Sequence, residues 1–180
     1  AFPAFADTSV AERLALLERI VARFEAREAE VLDTITAELG SPRSNKGMVS
    51  NAIDGFKAAH ATLRDYRFEH VLGPNLVRRE AIGVCGLITA WNWPAQLLAT
   101  KGAYALAAGC TMVLKPSEFT PMTAHLVTEI LAEAGVPPGV FNLVVGKGRV
   151  VGEALSHHPD VDMISFTGST SAGRGVGELA

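Results

Sequence analysis

Apolar residues recur at helical spacing near the start of the chain. Val10, Leu14, Leu17, Val21 and Phe24 would share one face, with Arg13, Glu18, Arg19 and Arg23 between them. Ser9-Val10-Ala11-Glu12 precedes the run as a capping box, in which the Ser hydroxyl and the Glu carboxylate satisfy free amides at a helix start. A second amphipathic stretch, Val31 to Leu39, stops at Gly40 with Pro42 beyond it, and a third runs from Lys46 to Tyr66. These helices are charged on one face and carry no cluster suited to chemistry. They read as a scaffold wrapped around another domain.

The pattern changes after Gly73-Pro74, which divides a helical segment, 1–74, from a second region, 75–180. Leu76-Val77 and Ile82 to Thr89 read as strands, Ala95 to Ala108 as a small-residue helix and Thr111 to Leu114 as a strand. Met122 to Ala134 reads as a helix, Val140 to Val145 as a strand, Arg149 to Ser156 as a short helix, Met163 to Phe166 as a strand and Ser171 onward as a helix. Strands alternating with helices at this spacing predict an α/β fold, a parallel sheet with helices on both faces. Ligands of such sheets bind beyond the carboxyl ends of the strands.

Composition narrows the function classes. The 180 residues are 48% hydrophobic with a net charge of −3, which excludes a disordered chain, and no basic stripe offers a nucleic-acid surface. Two cysteines make no disulfide framework, so a reducing, cytoplasmic setting is expected. Ala81 to Thr100 carries no charge, but Gly83, Gly86, Asn92, Pro94 and Gln96 interrupt it and Lys101 follows; it reads as a buried strand feeding a buried helix, not a membrane span. The chain opens without Met, so it is expected to begin within a longer protein or to have been processed. His157-His158 has no accompanying ligand cluster and reads as a solvated loop, so no metal site is expected. Cys85 and Cys110 read as small core residues.

Four predicted strand ends hold polar groups. Asn92, in Trp91-Asn92-Trp93-Pro94, can donate to an oxygen that becomes negative during a reaction, or can cap the helix starting at Pro94. Lys115 and Glu118, in Lys115-Pro116-Ser117-Glu118, can hydrogen-bond ribose hydroxyls, with the carboxylate repelling a 2′-phosphate, or can be an exposed pair capping the next helix. Gly146 to Gly152 is GxGxxxG, one residue longer than the dinucleotide fingerprint. Phe166-Thr167-Gly168-Ser169-Thr170 leads into a helix; its free amides and Ser hydroxyl suit an anion, and Ser169 also suits a simple cap.

These stretches, in this order and spacing, resemble the aldehyde dehydrogenase family. The likeness runs from about Glu80 to Ala180 through Gly83-Val84-Cys85-Gly86, Ala90-Trp91-Asn92-Trp93-Pro94, Val113-Leu114-Lys115-Pro116-Ser117-Glu118, Pro137-Pro138-Gly139-Val140-Phe141-Asn142 and Phe166-Thr167-Gly168-Ser169-Thr170. The helical first 70 residues are also similar, less distinctively. The resemblance implies a Rossmann-like cofactor domain and NAD(P)-dependent oxidation of an aldehyde to a carboxylic acid through a Cys thiohemiacetal and thioester. It gives Asn92 the role of oxyanion donor, Lys115 and Glu118 (with Ser117 between them) the adenosine ribose, and Thr89, Ala90 and Trp91 the strand end beside the cofactor. Phe166, Thr167, Gly168 and Ser169 fall near the pyrophosphate, and Gly148 and Gly152 near the adenine. Glu118 favours NAD, with NADP the second candidate. Thr89 and Ala90 stand where Ile-Pro is commoner, and Trp93 where Phe is frequent.

The family's nucleophilic Cys and general-base Glu lie in later segments that these 180 residues do not contain, and Cys85 and Cys110 occupy positions the family does not use. The catalytic domain is therefore expected to be absent and the chain alone inactive. A homo-oligomer, dimer or tetramer, is expected of the full-length protein. Two alternatives stay open: a non-catalytic NAD-binding protein that pairs with intact subunits, and a relative that reduces an activated acyl group.

Overall fold

The computed structural model describes residues 1–180. Its helical part comprises α1 (Phe2–Ala6), α2 (Val10–Ala26), α3 (Glu28–Leu39) and α4 (Gly47–Asp65). Ser9 and Glu12 form the expected capping box at the start of α2, the Ser9 amide donating to Glu12 Oε2 over 2.7 Å and the Glu12 amide to Ser9 Oγ over 3.2 Å. α3 begins directly after Arg27, three residues before its expected start at Val31, and closes on a left-handed Gly40.

A hairpin follows, of β1 (Glu69–Leu72) and β2 (Asn75–Arg78), antiparallel with Leu72 opposite Asn75. The Leu76-Val77 strand is thus no part of the parallel sheet. The Gly73-Pro74 break is the hairpin turn, where Gly73 takes φ 60. The main sheet has four parallel strands in the order β5-β4-β3-β6: β3 (Val84–Ile88), β4 (Thr111–Lys115), β5 (Phe141–Leu143) and β6 (Met163–Phe166). β3 is shorter than the expected 82–89 because Gly83, at φ 131, turns the chain ahead of it. β5 likewise covers less than the expected 140–145.

Pleat alternation sends Cys85, Leu87, Met112 and Leu114 to one face and Val84, Gly86, Ile88 and Val113 to the other. The first face packs on α5 (Pro94–Ala108) and α6 (Pro121–Glu133), and the helices α2 to α4 lie over these. Gly55 of α4 lies against Ala99 of α5, where an added Cβ would sit 3.5 Å from the Ala99 methyl, so the two helices pack closely. One apolar core runs from Phe5 and Phe24 through Leu98 and Met112 to Val140. The second face carries α7 (Glu153–Ser156), whose Leu155 lies over Gly86. Helices on both faces of a parallel sheet are as the sequence predicts.

The 149–156 segment is not one α-helix: Gly148–Gly152 forms a π-helical turn that leads into α7. A π turn closes one residue later than an α turn. This turn spans the last two glycines of the GxGxxxG stretch. α8 (Thr170–Leu179) ends the chain, with Ser169 as its N-cap.

Candidate functional site

The residues singled out at the strand ends lie at or beyond the carboxyl edges of β3, β4 and β6, except Gly148 and Gly152, which follow β5. The parallel register sets this: Ile88 pairs with Lys115 on one side and with Phe166 on the other. Beyond it, the Thr89 amide donates to the Lys115 carbonyl over 3.2 Å and the Thr167 amide to the Ile88 carbonyl over 2.9 Å. Three loops therefore leave the sheet side by side.

After β3, Thr89 is buried, Ala90 half-buried and Trp91 53% exposed. Asn92 is exposed and does not cap α5: Trp93 holds the N-cap position, without a side-chain hydrogen bond, and Pro94 opens the helix. The capping alternative for Asn92 is thereby removed, and its carboxamide remains available at the loop.

After β4, Lys115 is buried at 3% exposure, not part of an exposed pair. Its Nζ donates to the Pro116 carbonyl over 2.6 Å and lies 3.8 Å from Glu118 Oε2. Burial pushes the Lys115 ammonium pKa down, and the Glu118 carboxylate partly opposes this. Glu118 is exposed, and Ser117 Oγ accepts from the Phe119 amide over 3.3 Å, folding the loop between them. Neither Lys115 nor Glu118 caps α6. That end is taken by Glu38 of α3, whose carboxylate accepts from the Met122 and Thr123 amides over 2.5 and 2.9 Å. An anion at this helix start would meet a carboxylate already in place.

After β6, Phe166 folds its ring back beneath the following turn. An added Cβ at Gly168 would sit 2.5 Å from Phe166 Cζ, and one at Gly173 3.3 Å from Phe166 Cε1. The backbone at Gly168 can approach a ligand only because no side chain stands there. Ser169 Oγ accepts from the Ala172 amide over 3.2 Å, so the cap reading is realised, at a helix start where Gly168, Ser169 and Thr170 are exposed. Gly152 lies over this same edge, where an added Cβ would be 3.9 Å from Lys115 Cδ and 4.0 Å from Ile88 Cδ1; Gly148 stands in open space.

One group went unnoticed in the sequence. Lys101 of α5 reaches β6 and donates to Ser165 Oγ over 2.7 Å, and burial pushes its pKa down. Its only signal was that it closes an uncharged run of twenty residues.

The cysteines lie at the opposite, amino edge of the sheet. Both are buried: Cys85 is the second residue of β3, and Cys110 precedes β4. In the fold, Cys110 is pushed down to about 6 by the Cys85 thiol that donates to it, with smaller contributions from the amides of Gly83 and Ile82 and from Arg13. The Cys85 thiol is raised by that same bond and by burial. At roughly 3.3 Å per residue, Cys85 stands about 13 Å from Thr89 along the strand.

A doubly wound parallel α/β sheet with polar groups gathered at its carboxyl edge is the Rossmann-like class of domain. The chain belongs to the aldehyde dehydrogenase family, whose model matches residues 1–180. It is 51% identical over 183 residues to a 3-succinoylsemialdehyde-pyridine dehydrogenase of a Pseudomonas species, covering 100% of this chain and 38% of the relative. The crystal structure of a variant of aldehyde dehydrogenase C from Pseudomonas syringae, in complex with NAD+ and octanal, matches with a TM-score of 0.98 at 44% identity, covering 100% of this chain and 38% of that one. A glyceraldehyde-3-phosphate dehydrogenase from Methanocaldococcus jannaschii, complexed with NADP, matches with a TM-score of 0.94 at 30% identity over 99% of this chain and 41% of its own. The chain thus spans about two fifths of the length of these relatives. No helix is long and apolar enough to cross a membrane.

Proposed function

We propose that this chain supplies the cofactor-binding part of an enzyme that oxidises an aldehyde to a carboxylic acid with NAD, NADP being the second candidate. One observation carries the reading: Asn92, the Lys115–Glu118 loop and the Gly168–Ser169 helix start leave one sheet edge side by side. The residues fit a dinucleotide. Lys115 Nζ keeps donors free beyond its one bond to Pro116, and Glu118 offers an exposed carboxylate beside it; together they suit the two hydroxyls of a ribose. The same carboxylate repels a 2′-phosphate, which favours NAD. Gly168 and Ser169 take the pyrophosphate at the α8 start, with Phe166 and Thr167 shaping the turn. Gly148 and Gly152 border the adenine side, and Thr89, Ala90 and Trp91 form the wall beside the nicotinamide.

When bound, the nicotinamide supplies the hydride acceptor. Asn92 donates its carboxamide N–H to the aldehyde oxygen as that oxygen becomes negative; loss of such a donor typically costs about 10²–10³ in rate. The attacking thiol is neither Cys85 nor Cys110, which are buried at the other edge of the sheet. By this reading residues 75–180 are the first part of the cofactor domain, 1–74 pack upon it, and the 180 residues alone turn over no aldehyde. The working enzyme is an oligomer of identical subunits: Val71, Leu72 and Leu76 of the hairpin are 73%, 66% and 64% exposed, an apolar surface suited to a second copy. Its two unpaired thiols accord with a cytoplasmic, reducing setting.

The test is titration of the chain with NAD and with NADP, followed by tryptophan fluorescence, together with an assay of aldehyde-dependent NADH formation. Saturable quenching by NAD, weaker quenching by NADP and no NADH formation are expected. Absence of dinucleotide binding overturns the cofactor reading, and aldehyde oxidation by these 180 residues overturns the assignment of the nucleophile.

A further inference from the structure

Arg13 of α2 is 7% exposed, and its Nε has no hydrogen-bond partner. A guanidinium cannot shed its proton, and burying one unpaired is strongly unfavourable. It is wedged against Gly109, where any Cβ would overlap its Nη1, and its Cζ lies 5.3 Å from the centre of the Phe68 ring.

In front of Arg13 lies a solvent-open cavity of about 550 Å³, between α1, the start of α2 and the hairpin. Its charged lining is Arg13, Arg78, Arg79, Asp7, Glu69 and Glu80. The charges do not cancel locally. Arg78 Nε lies 3.3 Å from Glu69 and 3.2 Å from Glu80, so both glutamates are committed to one arginine. Arg79 donates to the neutral Tyr66 hydroxyl over 2.6 Å and lies over that ring. Two guanidinium groups are thus left facing the single carboxylate of Asp7. The uncharged lining includes Phe2, Val10 and the Phe68 ring.

We propose that this cavity is a binding site for a small organic carboxylate, its carboxylate group accepting from Arg13 and Arg79 and its apolar body resting on Phe2 and Phe68. The site stands apart from the proposed cofactor site. Arg13 and Gly109 are at the amino edge of the sheet, whereas Asn92 and Glu118 are at the carboxyl edge. It therefore stands or falls independently of the dinucleotide reading.

Benzoate is the probe, with its neutral isostere benzamide and inorganic phosphate as the other arms, followed on the chain by amide NMR. Saturable benzoate shifts are expected at Phe2, Arg13 and Phe68, with benzamide and phosphate each about tenfold weaker or more. Arg79→Gln, at the surface, weakens benzoate by about tenfold without unfolding the chain, and Asp7→Asn strengthens it. Equal binding of benzoate and benzamide, phosphate binding as tight as benzoate, indifference to Arg79→Gln, or shifts confined to Asn92 and Glu118 overturns the proposal. Arg79→Gln carries the test because Arg13→Gln alters a buried position.

Discussion

Asp162 accepts from the Val84 amide over 2.7 Å while its own amide donates to the Val84 carbonyl over 2.9 Å, so the residue before β6 fastens the start of β3. Gly83 makes this possible: at φ 131 it has no side chain, and a Cβ there would overlap the Asp162 carboxylate. Gly83→Ala is expected to destabilise the fold by about 3 kcal/mol, combining backbone strain with a lost acceptor at a strand start. Asp162→Ala, which removes only the acceptor, costs about 1–2 kcal/mol. Urea unfolding of the two variants checks the order.

Glu38 performs for α6 what no residue of its own loop does. Its Oε2 also accepts from the Thr123 hydroxyl, and Thr120, at the N-cap position, leaves its Oγ1 buried without a partner. Glu38→Ala is expected to cost about 1–2 kcal/mol, and Glu38→Gln less, because an amide oxygen still accepts. The measurement is the shift in urea midpoint at unchanged slope.

Glu118→Gln in the complete enzyme removes a charge from the exposed loop next to Lys115. NADP affinity is expected to rise relative to NAD, with the NAD site otherwise intact. An unaltered ratio of the two dissociation constants counts against Glu118 as the discriminating group.

Gly168→Ala places a methyl 2.5 Å from Phe166 Cζ, and the ring or the turn must move. Dinucleotide binding is expected to weaken by more than tenfold, about 1.4 kcal/mol or more, while thermal stability falls modestly. Isothermal titration alongside a melting curve separates the two effects.

Cys85 and Cys110 are 1% and 3% exposed. Although Cys110 has a depressed pKa, iodoacetamide is expected to leave both unmodified in the native chain and to modify both in urea, which intact mass reads directly. Rapid native modification of either thiol is the outcome that contradicts their placement in the core.

Much of this arrangement was legible in the sequence for a physical reason. Period-3.6 and period-2 patterns report which face is buried, so the long helices and the parallel strands read correctly to within a few residues, whereas α1 was not read and the 149–156 helix is part π turn. β1 was missed because Glu69-His70-Val71-Leu72 is mostly solvent-exposed and buries no face to imprint a pattern. The Gly73-Pro74 pair also closes a hairpin, which the absence of β1 from the pattern concealed. At the site, local motifs placed Asn92, Lys115 and Ser169 at strand ends. They could not reveal that Glu38 closes α6, since that contact joins residues 85 apart. Nor could they show Arg13 beside Cys110, because neither partner carries the other's signature.

The two ends of α6 are held from the same place. Glu38 of α3 closes its start, and Arg19 of α2 donates from Nε to the Ala134 carbonyl at its finish over 2.8 Å. Short helices gain little from their own backbone until their ends are satisfied and one face is docked. The β4–α6–β5 crossover therefore depends on residues that leave the ribosome about a hundred positions earlier. The helical layer acts as a mould: both side chains that clamp the crossover precede it in the chain.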